Sequence, residues 1–277
     1  MTNNIFIITE GDHDAAFIYR ILRANDIEKY HTIIKDYPKP LNELFKNILS
    51  TTVIDDLSID ERNPKFFPNY VLKYNDNIIC INTTRGVSQE ETRKDFIKLI
   101  KSFFISDPDE IEVTEDISFS VLFFFDADER GIDKRVSQIK EEMKLLLNRD
   151  ALEGIGNEII VTIDDIKLGL FVFTKPVTCN GLLEDILIPL MKKDHEEIFL
   201  KAEEYLDTFK EIDAKTGKRK YKRYDYKKAL IGTTGQLQLS GKSNTVIITD
   251  TDFLPDDKLK TDDICNKIFS FIKKAMI

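Results

Sequence analysis

The feature that most constrains the fold is the uninterrupted apolar run Val121–Phe125. A strand with one face in water alternates apolar and polar residues, whereas a strand covered on both faces reads as a continuous apolar run. This run belongs to the third of three β-type runs, which are Ile5–Thr9, Asn77–Asn82 and Ser118–Phe125. An amphipathic helical pattern follows each of them, over about Asp12–Asn25, around Phe96–Ile100 and over Ile132–Leu147. This alternation predicts an α/β fold with a doubly wound, mostly parallel sheet and helices on both faces.

The chain divides into two predicted parts. Residues 1–175 form the α/β core, which includes an insertion at about 30–76 that contains four prolines. Residues 176–277 form a mainly helical C-terminal extension packed on that core. The remaining predicted elements are a closing hairpin of Glu158–Ile163 and Gly169–Thr174, a short helix near Leu41–Leu49, and C-terminal helices at about Gly181–Lys193, Asp194–Lys210, Tyr226–Ile231 and Asp262–Met276.

Charge and cysteine content narrow the class of protein. The chain has 49 acidic and 40 basic residues, a net charge of −9 and a pI of about 5.1, so contact with nucleic acid must depend on a local basic patch. The three cysteines Cys80, Cys179 and Cys265 are too widely spaced for a disulfide framework or a zinc site. No stretch approaches the ~20 apolar residues of a membrane span. We therefore expect a soluble, cytoplasmic protein that does not bind membranes.

Carboxylates follow two of the predicted buried strands. Glu10, Gly11 and Asp14 follow the first strand, and Asp126 and Asp128 follow the third. The carboxyl ends of parallel strands form the ligand-binding edge of an open α/β sheet. Side chains two apart on extended chain point the same way, and converging carboxylates repel each other unless a cation neutralises them. All-oxygen ligands favour Mg²⁺ or Mn²⁺, so Glu10, Asp126 and Asp128 are the predicted metal ligands.

Two other interpretations remain open at this point. An acid after a strand is often the N-cap of the following helix, a role that Asp12 or Asp128 could fill. A rival pair, Asp250 and Asp252, also follows an apolar run, Val246–Ile248, although no glycine-rich turn accompanies it.

The two acidic motifs resemble those of the Toprim domain. Glu10-Gly11 with Asp14 matches the first Toprim motif, and Asp126-Ala127-Asp128 matches the second. The segment Asn180–Leu187 and Lys228-Ala229 are similar to small stand-alone Toprim-like proteins. The resemblance covers roughly residues 4–190 without the insertion, and within the family it is nearest to these proteins and to the OLD-type (overcoming lysogenization defect) nucleases.

This resemblance implies metal-dependent phosphodiester chemistry. In Toprim proteins the first-motif glutamate binds metal and assists proton transfer, and the Asp-x-Asp pair holds Mg²⁺, so Glu10, Asp126 and Asp128 are the implied catalytic residues. Asp14 would support them, and Gly11 would let a phosphate approach the backbone. Glu184 is a further implied ligand, although a glutamate there is also what the first turn of a helix favours. Phage defence is an expectation carried over from the OLD-type relatives.

A basic tract, residues 215–228, offers a separate nucleic-acid contact. It contains eight basic residues against one acid, with three interleaved tyrosines that could stack on bases. Its other interpretation is a solvated loop between helices. The predicted phosphate-binding side chains are Lys218, Arg219, Lys220, Lys222, Arg223 and Lys228.

Together these patterns favour a Mg²⁺-dependent nuclease acting on DNA or RNA, and two other functions stay open. One is a non-catalytic metal-binding regulatory protein that partners a separate ATPase. The other is a nucleotide-sugar transferase, because Asp-x-Asp after a strand also binds metal–diphosphate groups, although Glu10-Gly11 argues against it.

Overall fold

The structure is a computed structural model that describes residues 2–50, 66–84, 89–104, 117–163, 166–208 and 225–276. Its centre is a mixed sheet with the strand order β2-β3-β4-β1-β5-β7-β6. The strands are β1 Thr2–Thr9, β2 Glu28–Lys29, β3 Tyr70–Tyr74, β4 Asn77–Thr83, β5 Ile117–Asp126, β6 Ile159–Ile163 and β7 Ile166–Phe173. The four central strands β4, β1, β5 and β7 are mutually parallel. β3 and β6 pair antiparallel to β4 and β7, and β2 pairs antiparallel to β3.

Helices cover both faces of the sheet. They are α1 Asp12–Ala24, α2 Leu41–Ser50, α3 Gln89–Phe104, α4 Ile132–Met143, α5 Arg149–Leu152, α6 Glu184–Lys192, α7 Glu196–Thr208, α8 Tyr226–Gly235, α9 Asn244–Asp250, α10 Asp256–Thr261 and α11 Asp263–Ala275. The fold is therefore the predicted α/β class with a helical C-terminal part.

Alternate side chains of the central strands enter two separate cores. In β1, Ile5 and Ile7 pack with α1 and the C-terminal helices, whereas Phe6 and Ile8 pack with α2, α3 and α4. The aromatic run of β5 divides in the same way, since Phe124 joins the first core and Phe123 the second. Burial on both faces explains why these strands read as continuous apolar runs.

The C-terminal helices build one of the two layers. Phe271 of α11 packs edge-on against Phe124 of β5, with ring centroids 5.8 Å apart. Helices α9 and α10 lie against α1, and Arg20 of α1 bonds to the backbone of Leu254 at 2.7 Å. The described C-terminal helices α6 to α11 thus close the first core over the sheet.

Several elements differ from the sequence-based prediction. The segment predicted as an insertion contains α2, as expected, but it also supplies β3, which extends the sheet beside β4. The run Val246–Ile248 lies in helix α9 rather than in a strand, so Asp250 and Asp252 do not end a strand and lack the setting that made them a rival pair. The second hairpin strand begins at Ile166, three residues earlier than predicted. Among the described residues, no helix is long and apolar enough to cross a membrane.

Candidate functional site

The predicted acidic residues meet at one edge of the sheet. After β1 the chain forms β2, β3 and β4 on one side of it, and then β5, β6 and β7 on the other side. The strand order therefore reverses between β1 and β5. In open α/β sheets a crevice at such a reversal, outside the carboxyl ends of the strands, is where ligands bind. Glu10 follows β1 and Asp126 ends β5, so both lie at this position.

Glu10 and Asp128 share one arginine, Arg135 of α4. Its Nη2 lies 3.2 Å from Glu10 Oε1 and 2.7 Å from Asp128 Oδ2. The Arg135 side chain is 6% exposed and that of Glu10 17%. Burial raises the pKa of Glu10, and the guanidinium of Arg135 opposes that rise. The pair of carboxylates is therefore held together by a resident positive charge.

Asp126 and Asp128 are tied to the loop before α6. Asp128 has a left-handed backbone with φ +51°, and its amide and carbonyl pair with those of Gly181 at 2.8 and 2.9 Å. Gly181 has φ +128°, and a Cβ there would lie 2.5 Å from the backbone nitrogen of Lys175, so only glycine fits. The Leu183 amide donates to Asp126 Oδ1 at 2.6 Å. These bonds bring the start of α6 to the cleft.

Glu184, the first residue of α6, faces His13 of α1. The atoms Glu184 Oε1 and His13 Nδ1 are 3.3 Å apart, and the glutamate side chain is 6% exposed. Burial acts to raise the pKa of Glu184, but the hydrogen bond with His13 and the positive charge of Lys228 outweigh it, so the pKa is lowered. Glu184 is thus an ionised, oriented carboxylate at the N-terminus of its helix, where the dipole favours negative charge.

Asp14 and Asp126 are the carboxylates with the least compensation. Asp14 is buried and accepts a hydrogen bond from the Gly11 amide at 2.8 Å. Burial and the nearby Asp126 raise the pKa of Asp14 well above its usual value. Burial, together with Glu184, Glu10 and Asp128, raises the pKa of Asp126 to about 7, against the effect of the Leu183 amide. Acids with such pKa values in a crevice are typical of functional sites.

The start of α8 supplies the positive side of the cleft. Asp225 caps the helix by accepting from the amides of Lys227 and Lys228. The Lys227 ammonium donates to Asp185 at 2.7 Å, whereas Lys228 lines the cleft itself. The rest of the predicted basic patch lies outside the described residues: Lys218, Arg219, Lys220, Lys222 and Arg223.

These groups line one cleft of about 490 Å³, within the range of small-ligand sites. Its walls include all the acidic residues of the predicted metal site, together with Gly11 and Lys228. The other lining residues and these acids are Glu10, Asp12, His13, Asp14, Asp126, Asp128, Leu182, Glu184 and Asp225. A second depression of about 510 Å³ adjoins it, shares Asp128 and Leu182, and is lined on its far side by Lys175 and Thr178.

The donor set suits a hard cation, although it is not assembled around one. All the converging acidic groups offer oxygen ligands, which Mg²⁺ and Mn²⁺ prefer. As they stand, no three His, Cys, Asp or Glu side chains in the described part of the chain form a group that could hold a metal ion. Arg135 accounts for part of this, because Glu10 and Asp128 turn towards its guanidinium. The residues therefore fit such an ion by the chemistry of their oxygen atoms.

Sequence analysis missed two residues of this site. Arg135 has a sequence signal, since it falls four residues before the buried Ile139 on α4, where an apolar residue would be expected. His13 lies inside the first acidic motif, in the first turn of α1. Its partner Glu184 is 171 positions away along the chain, and no local sequence pattern predicts that pairing.

Comparison with known proteins finds a matching family model and a similar solved structure, and neither description states an activity. Residues 4–276 match the model of a family described as "Protein of unknown function (DUF3226)". The crystal structure of hypothetical protein PH0156 from Pyrococcus horikoshii OT3 is similar, with a TM-score of 0.52 and 13% identity, and the match covers 99% of this chain and 95% of that one. At this identity the likeness concerns the fold alone. No curated protein matches the chain.

Proposed function

The chain belongs to the DUF3226 family, and we propose from its cleft that it is a Toprim-like, Mg²⁺- or Mn²⁺-dependent nuclease that hydrolyses phosphodiester bonds of DNA or RNA. The observation that carries the proposal is the convergence of Glu10, Asp126 and Glu184 where the strand order reverses. The likeness of Glu10-Gly11 and of Asp126-Ala127-Asp128 to the two Toprim motifs supports it. The proposed substrate would enter a groove that is acidic at its centre and has Lys228 and Lys175 along its walls.

The metal would be held by Asp126, with Asp14, Glu184 and Glu10 as the nearest further ligands. When bound, the ion would lower the pKa of a coordinated water and offset charge on the phosphate oxygens. Without it, burial first and the neighbouring carboxylates second raise the pKa values of Asp14 and Asp126. Carboxyl groups crowded together in a poorly solvated site are suited to binding a cation in place of their protons.

The chain's own groups would handle the substrate. Lys228 provides a positive charge next to the carboxylates, suited to a phosphate contact. His13 is an imidazole whose Nδ1 is fixed by Glu184, so it can accept or donate a proton at the cleft wall. Three helices, α1, α6 and α8, direct their N-termini at the cleft, and helix N-termini attract phosphate groups.

A cleavage assay tests the proposal. The full chain should cut plasmid DNA or structured RNA with Mg²⁺ or Mn²⁺, and EDTA should stop it. Asp126→Asn should reduce cleavage at least about 100-fold, because it removes the central ligand while keeping the shape of the side chain. Asp133→Asn changes an exposed aspartate of α4 outside the cleft and should leave the rate unchanged.

One observation favours a second candidate, a non-catalytic nucleic-acid-binding or regulatory protein that partners a separate ATPase. The described carboxylates are not assembled into a metal-binding group, and Arg135 already neutralises two of them. Metal-independent binding of nucleic acid, with no cleavage by the wild-type protein on any DNA or RNA tested, would support this candidate and reject the nuclease.

A further inference from the structure

Arg135 is fixed behind three residues of the cleft wall by a contact at each of its nitrogens. Besides the bonds of Nη2 to Glu10 and Asp128, its Nε donates to the Asp126 carbonyl at 2.7 Å. Its Nη1 donates to Gln138 Oε1 at 2.9 Å. The position of this guanidinium is therefore set by α4 and by the end of β5, not by solvent.

A second layer holds Arg135 in place from behind. The Gln138 amide donates in turn to Glu142 at 2.6 Å, and Glu142 pairs with Arg93 of α3. The guanidinium of Arg135 lies 5.7 Å from the centre of the Phe125 ring. Because Arg135 is 6% exposed, its positive charge acts on the cleft with little screening from solvent.

This placement divides the carboxylates of the cleft into two groups. Glu10 and Asp128 share the guanidinium of Arg135. The carboxylates of Asp14 and Asp126, in contrast, accept hydrogen bonds from the backbone amides of Gly11 and Leu183, and neither forms an ion pair with any residue in the described ranges. The charge of Arg135 is therefore committed to Glu10 and Asp128, and Asp14 and Asp126 have no cationic partner among the described residues.

Two-metal phosphodiester sites place their ions about 3.5–4 Å apart between shared carboxylates. In this cleft the space between Glu10 and Asp128 is occupied by Arg135, whose charge repels a second cation at that range.

We propose that Arg135 is a resident cation that replaces one of two metal ions, so that the cleft takes a single divalent cation on the side of Asp14, Asp126 and Glu184. This inference rests on the proposed function and assigns the number and position of its metal. Arg135 is thereby a positioning residue, because it acts on the reaction through Glu10, Asp128 and the backbone of Asp126.

Metal binding without nucleic acid tests the inference. The metal-free full chain is titrated with Mn²⁺ by calorimetry, and the bound ion is examined by electron paramagnetic resonance, which separates an isolated Mn²⁺ from two coupled ions a few ångströms apart. Wild-type protein should bind one ion per chain with an uncoupled spectrum. Arg135→Met should bind two ions with a coupled spectrum, because Glu10 and Asp128 lose their cation.

Two variants separate charge from structure. Arg135→Lys keeps the positive charge with fewer donors and should still bind one ion. Arg130→Met removes an exposed arginine from the turn before α4 and should also bind one ion, which controls for the change in net charge. Circular dichroism establishes that each variant is folded.

Each outcome decides a different point. Two ions in the wild-type protein, or one ion in a folded Arg135→Met variant, would overturn the inference and leave the metal-dependent function intact. No Mn²⁺ binding by the wild-type protein would overturn the inference and the proposed function together. If Arg135→Met does not fold, the wild-type stoichiometry and spectrum still decide between one ion and two.

Discussion

Two buried polar clusters adjoin Phe125, and they differ in how their charges balance. Between α3 and α4, Arg93 meets Glu142 through two bonds of 2.8 and 2.6 Å, and both side chains are 2% exposed. In the cleft, by contrast, Arg135 and Lys228 face a larger number of carboxylates. A balanced buried pair needs no ligand, whereas an excess of one charge is stable only if something else supplies the other. The first cluster therefore joins two helices, and the second is suited to receiving a cation.

The largest expected effect comes from unbalancing the first cluster. Glu142→Ala should lower the free energy of unfolding by about 3–5 kcal/mol, because it leaves the charge of Arg93 buried and unpaired. Arg93 Nη1 already lacks a hydrogen-bond partner among the described residues, so the side chain has little other compensation. Urea unfolding followed by circular dichroism measures the change.

The neighbouring residue gives the control for this prediction. Glu141 is exposed and pairs only with Lys144 on the surface, so Glu141→Ala should change the free energy of unfolding by less than about 0.5 kcal/mol. A loss below about 1 kcal/mol for Glu142→Ala would mean that the pair does not hold α3 and α4 together.

A cation should relieve the imbalance of the second cluster. An ion that binds only the folded protein, present at 100 times its Kd, adds about 2.7 kcal/mol to the free energy of unfolding. Mg²⁺ or Mn²⁺ should therefore stabilise the wild-type protein but not Asp126→Asn. Thermal unfolding measures this, with NaCl at equal ionic strength as the control for screening. Equal stabilisation of both proteins would place the bound ion outside the cleft.

The same imbalance should make the metal-free protein sensitive to pH. The pKa of Asp126 is about 7 in the folded protein and about 3.9 in an unfolded chain. The folded state thus binds this proton more tightly, so the associated stability is complete below about pH 4 and is lost as the pH rises through 7. Asp14 and Glu10, whose pKa values are also raised, act in the same direction.

Asp126→Asn should remove part of that loss. At pH 8 the metal-free variant should be more stable than the wild-type protein by about 1–2 kcal/mol, less than the full shift because the side chain is partly exposed. At pH 4 the two should be nearly equal. Urea unfolding at both pH values measures the difference, and a variant that is less stable at pH 8 would contradict the assigned charge imbalance.

The sequence predicted the strands that are buried on both faces of the sheet. β1, β4 and β5 are covered on both faces, so their apolar runs are continuous and their ends could be located. β3 lies towards the edge of the sheet, and four of its five residues are partly buried or exposed, so its apolar pattern is weak. Val246–Ile248 has the β-branched composition of a strand, but packing against α1 holds it as helix α9.

The site was predictable only where topology alone brings residues together. Glu10 and Asp126 follow adjacent parallel strands, so their proximity follows from the strand pattern. The pairings of Arg135 with Glu10 and of His13 with Glu184 depend on how helices are set against strand ends. Such tertiary contacts leave no periodic pattern in the sequence. The one signal for this site was the position of Arg135 on the apolar face of α4.

The smallest expected effect concerns the positive rim of the cleft. Lys228→Gln should weaken nucleic-acid binding by less than about tenfold and lower the slope of log affinity against log salt by about one, as expected for one lost phosphate contact. The reason is that Lys228 lines the cleft, where a phosphate near Asp126 would lie. Fluorescence anisotropy with a labelled oligonucleotide at several salt concentrations measures both quantities.

Lys227→Gln is the matched control, because it removes the same charge one residue earlier on α8. The Lys227 ammonium is engaged by Asp185 at 2.7 Å, so it is less free to contact a phosphate, and its loss should leave the salt slope nearly unchanged. A difference in slope between the two variants would place the substrate backbone on the cleft side of α8. Equal slopes would mean that net charge alone governs binding, and the acidic cleft would then be left without a phosphate contact from α8.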